Sequence, residues 1–346
     1  MMRRLGVLAL ALWGSACSGD APPGTFCPTL NDQGPALAAG PHLLVANSLG
    51  EDWVAVNLND LDTPLPVRGL TGAVPNDLDV EGTRLYAVNS GDNTITVVDL
   101  TTGRTVGCID LGAGSNPWTL VPDPADSSRA WVTTFLSGEL VELDLASLTV
   151  RRRVTVGPAL EGLWVSEDAI AVTLTGYRGG EGNFGNGAIV FYDKPSLTEQ
   201  ARLPLPPNPQ FLFTGADQRI HAVCTGNFGS VPGRIVRVEA DGSAVRDTLE
   251  LGGSPSRAAL GPDGIAVVTA FYGGVMAYDT RTLAVVRGTD SPILPEAGYT
   301  APLIVGDRVA LANFDLDAVA WVRWGTWDLL GGFLAGDGPV ALALTP

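Results

Sequence analysis

Positive charge is scarce in this chain. Its 346 residues carry 21 Lys and Arg against 37 Asp and Glu, a net charge of −16, and Lys194 is the only lysine. A surface that follows phosphates needs clustered cations, so nucleic acid is excluded as a partner. Lys194 precedes Pro195 in a turn-like stretch and reads as a surface residue. Histidine is limited to His42 and His221, both within apolar, strand-like runs. A serine or cysteine hydrolase sets its nucleophile against a base, usually histidine, and GxSxG is also missing, so that class is disfavoured. The four cysteines form no CxxC, CxxCH or Cys/His pair, which removes the usual signatures of zinc, c-type haem and thioredoxin chemistry. The longest leading apolar run, Leu5 to Trp13, is about half the roughly 20 residues a spanning helix needs. What is abundant is 45% hydrophobic residues with 43 Gly and 25 Pro, enough apolar material for a large core and many turns.

The first residues are Met1, Met2, Arg3 and Arg4, then LGVLALALW, then Gly14, Ser15, Ala16 and Cys17. This order of charge, apolar run and small residues is that of a secretory signal over residues 1–16. The small residues before Cys17 resemble the lipobox of bacterial lipoproteins, with Gly14 where that motif usually has Leu. The resemblance implies acylation of Cys17, export across the inner membrane, and, with Ser18 following, residence as an outer-membrane lipoprotein facing the periplasm or the cell surface. A lipid anchor is then the only membrane contact. Residues 17–40, rich in Gly, Pro and Ala, suit a flexible tether. In an oxidising compartment Cys27 and Cys108 are the candidate disulfide, and Cys224, inside IHAVC, reads as a buried thiol.

A related unit recurs seven times. One column reads Asn47, Asn89, Thr134, Thr173, Cys224, Thr269 and Asn313, a mean step of (313 − 47)/6, about 44 residues. Each unit runs through a Pro-led apolar segment, a strand such as LYAVN, a Gly/Asp/Asn turn, a strand such as TITVVD, a second turn and a fourth strand. Four short antiparallel strands per unit make a propeller blade. The unit LYAVNSGDNTITVVDLTTGRTVGCIDLGAG resembles the YVTN-type β-propeller repeat, and the resemblance covers residues 41–346. It implies an all-β, seven-bladed propeller of four-stranded antiparallel blades. The first unit starts at His42 without its inner strand, and the C-terminal PVALALTP, Pro339 to Pro346, supplies a spare one. Closure by that strand would remove exposed sheet edges.

Two long insertions share a motif. GYRGGEGNFGNG (176–187) and TGNFGSVPG (225–233) fall between the second and third strands of adjacent units, and both contain GNFG. Equivalent loops hold Phe135, Phe271 with Tyr272, and Phe314. These loops share one face of a propeller with the entries to the inner strands. Candidate ligand-binding residues are therefore Phe184, Phe228, Asn183 and Asn227 from the insertions, with Trp118, Glu161, Gln210, Arg257, Tyr299 and Asp77 from the entries. The other reading of the GNFG rings is that each plugs its own loop. The positions where lactonase-type propellers hold a central metal read Asp77, Thr119, Glu161, Phe211, Arg257 and Thr300. Two acids opposed by an arginine do not make a metal cage. The NDLD and FDLD runs at Asn59–Asp62, Asn76–Asp79 and Phe314–Asp317 lack DxDxDG spacing and read as turn residues. No metal or other cofactor is expected, since the eight Trp form no quinone-docking repeat. The expectation is a monomeric, non-catalytic binding or scaffold module for an envelope protein, peptide or glycan. The alternative is a propeller enzyme of lactonase or quinoprotein-dehydrogenase type.

Overall fold

The computed structural model describes residues 34–61, 66–180 and 182–346. Among the described residues, twenty-eight strands group into seven four-stranded antiparallel sheets. Blades 2 to 7 each run outward in chain order from an inner strand, respectively Pro75–Glu81, Pro117–Pro122, Leu160–Val165, Pro209–Thr214, Pro255–Leu260 and Tyr299–Val305. Blade 1 takes its inner strand from the C-terminus: Pro339–Leu344 pairs with His42–Asn47, followed outward by Asp52–Asn57 and Val67–Leu70. The all-β seven-bladed ring and its closure are thus as the repeat implies.

The packing explains why these strands are apolar at nearly every position. Along His42–Asn47, Leu43 and Val45 pack with blade 7, while Leu44 and Ala46 pack with blade 2. A strand's side chains alternate between its two faces, and here both faces meet a neighbouring blade. Among the described residues the buried apolar side chains fall into seven clusters, one at each blade-to-blade interface. Outer strands escape this demand, and Thr149–Thr155 (TVRRRVT) is half-exposed throughout.

Two features depart from the sequence reading. Gly34 lies against the Trp53 indole and the Leu37 amide donates to the Leu100 carbonyl at 2.9 Å, so the tail of the expected tether is docked on blades 1 and 2. Lys194 is not a surface residue: it is 8% exposed, and its Nζ donates to Asp123 Oδ1 and to the Ser166 carbonyl, each at 2.8 Å. Cys108, on an outer strand, is disulfide-bonded, and Cys224 is a free, buried thiol. Cys17, Cys27 and the leader, like Asp62, lie outside the described residues.

Candidate functional site

At the entry of every inner strand the ladder skips. The partner register shifts between Pro75 and Asp77, Pro117 and Leu120, Leu160 and Leu163, Pro209 and Phe211, Pro255 and Ala258, Tyr299 and Ala301, and opposite Ala46 and Asn47 for the C-terminal strand. A bulge leaves one residue unpaired and re-aims it. The residues so released are Asn76, Trp118 with Thr119, Glu161 with Gly162, Gln210, Ser256 with Arg257, Thr300 and Val340, and all but Gly162 line one axial cavity. Hydroxyls fasten the bulges: Thr133, Thr173 and Thr225 donate at 2.7 Å to the carbonyls of Glu161, Pro209 and Pro255 in the next blade, and Thr300 donates to Pro339 at 2.8 Å. A cup floor made this way is set by seven blades at once.

One wall of the cup is aromatic. Trp118, Phe135, Tyr177, Phe184, Phe228 and Phe271 form a continuous arc over blades 3 to 6, with successive ring centroids 5.4, 5.8, 5.3, 6.1 and 5.6 Å apart. These are tilted and edge contacts of the kind ring quadrupoles favour. The two insertions build the centre of the arc. Tyr177 bridges Phe184 within the first, and a Cβ on Gly182 would sit 2.8 Å from the Asn227 carbonyl, so only glycine lets the two loops touch. Phe228 takes φ +58, a left-handed conformation that a bulky side chain adopts only where its surroundings hold it. The space over the cup floor, open solvent at the mouth included, comes to about 1200 Å³.

Charge is distributed unevenly below the rings. Arg257 of blade 6 crosses the axis to blade 2, where Nη1 meets Asp77 Oδ1 at 2.7 Å and Nη2 donates to the Asn76 carbonyl at 3.2 Å. Its guanidinium also lies 5.9 Å from the Phe211 ring centroid. Glu161, only 3% exposed, has no such clamp, and its Oε2 has no hydrogen-bond partner. Burial pushes its carboxyl up to about 8, against smaller lowering by the Arg257 charge and a hydrogen bond from Gln210. Further along the same strand as Asp77, burial raises Asp79 to about 7; the Val80 amide opposes the rise and Asp77 and Glu81 add to it.

The structure sorts the sequence candidates. Trp118, Glu161, Gln210, Phe184, Phe228 and Arg257 meet in the cup, and Asp77 anchors Arg257 beside it. Asn183 and Asn227 brace their own loops instead: Asn183 Nδ2 donates to the Gly179 carbonyl at 2.8 Å, and Asn227 Oδ1 accepts from the Val231 amide at 2.8 Å. Tyr299 is buried between blades 6 and 7, because in blade 7 the bulge releases Thr300. Phe314 is buried where blades 1 and 2 meet, facing Gly338. Asn76–Asp79 forms an inner strand, not a turn. Tyr177, Asn76 and Ser256 were missed; the Pro before each of the latter two was a usable marker. Neither histidine reaches the cup: His42 Nδ1 lies 2.8 Å from the Gly40 carbonyl, and His221 bonds Tyr278 Oη at 2.8 Å and Asp217 at 3.1 Å. Among the described residues no three His, Cys, Asp or Glu side chains form a metal-holding group.

No protein-family model matches the sequence, and no curated protein matches it. Solved structures do match in fold. A Bacteroides fragilis protein provisionally assigned as a 6-phosphogluconolactonase superposes with a TM-score of 0.69 at 13% identity, covering 90% of this chain and 100% of its own. Its counterpart from Bacteroides uniformis gives 0.68 at 12% identity, covering 89% and 100%. The dihydro-heme d1 dehydrogenase NirN, solved in complex with DHE, gives 0.60 at 16% identity, covering 93% and 82%. At such identities the likeness is one of fold, and a propeller hosts many unrelated functions.

Proposed function

We propose that this protein is a ligand-binding propeller of the bacterial envelope, tethered through Cys17, whose axial cup takes a small organic guest or the tip of an envelope peptide or glycan. The continuous aromatic arc over a polar floor carries this reading, since apolar walls with a few convergent polar groups are what ligand sites share. The resemblance of the repeats to the YVTN type fits the same picture. Thermal-shift screening with aryl glycosides, short aromatic peptides and amphiphilic amines should return hits. Replacing Phe184 and Phe228 together with Ala should weaken them roughly tenfold to a hundredfold, at about 0.5–1.5 kcal/mol per lost ring contact. Hits unaffected by that double variant would place binding elsewhere.

A second reading draws on Glu161. A carboxyl still protonated near neutral pH can donate a proton, as a general acid of a lactonase-like enzyme would. Lactone hydrolysis by the purified domain with added divalent metal, abolished in Glu161→Gln, would replace the first reading with this one.

A further inference from the structure

We infer that the guest of the axial cup is an organic cation, an alkylammonium group on an apolar or ring-bearing body, seated on Glu161 beneath the aromatic arc. This deepens the cup-binding reading and rests on it. Three observations converge. Six rings in contact make a wall whose faces attract a cation, and such attraction is strongest where water is excluded. Among the described residues lining the cup the one cationic side chain is already spoken for: Arg257 is held by Asp77 at 2.7 Å and by the Asn76 carbonyl. That clamp leaves Glu161 without an ion pair of its own: Arg257 acts on it only through its charge, Gln210 through a hydrogen bond, and Oε2 is buried and unpartnered. A buried acid oxygen lacking a donor is costly, and an incoming ammonium would stabilise the ionised carboxylate that burial disfavours.

The charge balance then fixes the sign of the pH dependence. Around Glu161 the charged groups are Arg257 from blade 6 and, paired to it, Asp77 from blade 2; Gln210 from blade 5 is neutral. With Glu161 protonated, the Arg257–Asp77 pair sums to zero and the empty cup is neutral. Cation uptake draws the carboxyl to its charged form and releases one proton to solvent. Affinity should therefore rise as pH rises and level off above the free carboxyl's value of about 8.

Calorimetry on the full soluble ring tests this with benzyltrimethylammonium and choline, whose charge does not vary with pH, the neutral isostere 3,3-dimethylbutanol, and the anion 3-phenylpropionate. With a free-state value of about 8, the factor 1 + 10^(8 − pH) predicts cation binding about 30-fold tighter at pH 9 than at pH 6.5. Proton release approaching one per ligand should appear at pH 6.5. Glu161→Gln should fold normally by thermal melt, bind the cations more weakly at pH 9, and lose the pH dependence. Phe184→Ala should weaken binding equally at both pH values. A Gly-Lys-Gly tripeptide distinguishes a peptide source from a free amine by whether it binds with the same pH profile. Equal binding of choline and 3,3-dimethylbutanol, or tighter binding of the anion at low pH, would overturn the cation while leaving the cup as a binding site. Absence of binding by every probe, with the Phe184 and Phe228 variants silent in the screen, would remove both.

Discussion

A chain ending at Gly338 should lose the cooperative melting of the intact ring. Pro339–Leu344 is the innermost strand of blade 1, pairing from Leu43↔Leu344 to Asn47↔Pro339. Thr345 seals the end: its amide donates to the His42 carbonyl at 3.0 Å and its hydroxyl accepts from the His42 amide at 2.8 Å. Val340, Ala341 and Ala343 belong to the interface with blade 2, and Leu342 and Leu344 pack towards blade 7. At about 1.5–3 kcal/mol per buried Val or Leu side chain, and less for Ala, burial alone is worth roughly 5–8 kcal/mol. A whole domain has only about 5–15 kcal/mol, so the truncation removes a large share of it. It also exposes the inner edge of His42–Asn47 as a template for aggregation. The expected outcome is an insoluble product, or a soluble one with a broad transition at far lower temperature. Adding a peptide of residues 337–346 should restore part of the sharp melt. A truncated protein that melts within a degree or two of the full chain would mean that the ring does not depend on its clasp.

This closure was legible in the sequence because it rests on a count: one unit lacks an inner strand and the last eight residues form one. The blades were legible for a related reason. Each strand packs on both faces, so period-2 alternation gives way to near-continuous apolar runs, and only the turn residues and the 44-residue step remain as signals. The mouth was less legible. The insertions announced Phe184 and Phe228, and the entries Trp118, Glu161, Gln210 and Arg257, but without the bulges two of the entries were read one residue out. Thus Asp77 and Tyr299 stood where Asn76 and Thr300 hold the released positions, and Ser256 and Val340 were missed. Arg257 still reaches the axis, but as a strut to Asp77. Asn183 and Asn227 were chosen for their polarity, and polarity near glycine more often serves a turn than a ligand. Tyr177 gave no signal apart from its place beside Gly176; its role follows from the bridge to Phe184.

Lys194 marks the opposite failure, a residue judged by its place in a turn whose importance lies in a buried ion pair, and Lys194→Met should carry the second large effect. Lys194 sits in the turn before the outer strand of blade 4 and Asp123 in the first turn of blade 3, at the end of the ring away from the cup. Asp123 is 6% exposed and also accepts from Trp131 Nε1 at 3.0 Å and from the Ala125 amide at 2.9 Å. Burial alone would raise this carboxyl, but the hydrogen bond from Lys194, then those from Trp131 and Ala125, outweigh it and hold Asp123 below the usual range. Removing the lysine leaves a buried charge with neutral donors only, a loss that typically costs about 3–5 kcal/mol. The sign of the pH response separates this cause from lost side-chain packing. In the wild type the Asp123 contribution is present above the unfolded carboxylate pKa near 3.9 and is lost as pH falls below it. In Lys194→Met the stranded carboxyl should prefer its proton in the folded state. The damage should then be fullest at neutral pH and shrink as pH falls towards 4. Asp123→Asn added to Lys194→Met should recover part of the loss at pH 7, because the amide keeps an oxygen for Trp131 without the charge. Urea midpoints of the two variants at pH 7 and pH 5 decide the matter: a loss that is small at pH 7, or the same at both, would show that the blades hold together at this end without the ion pair.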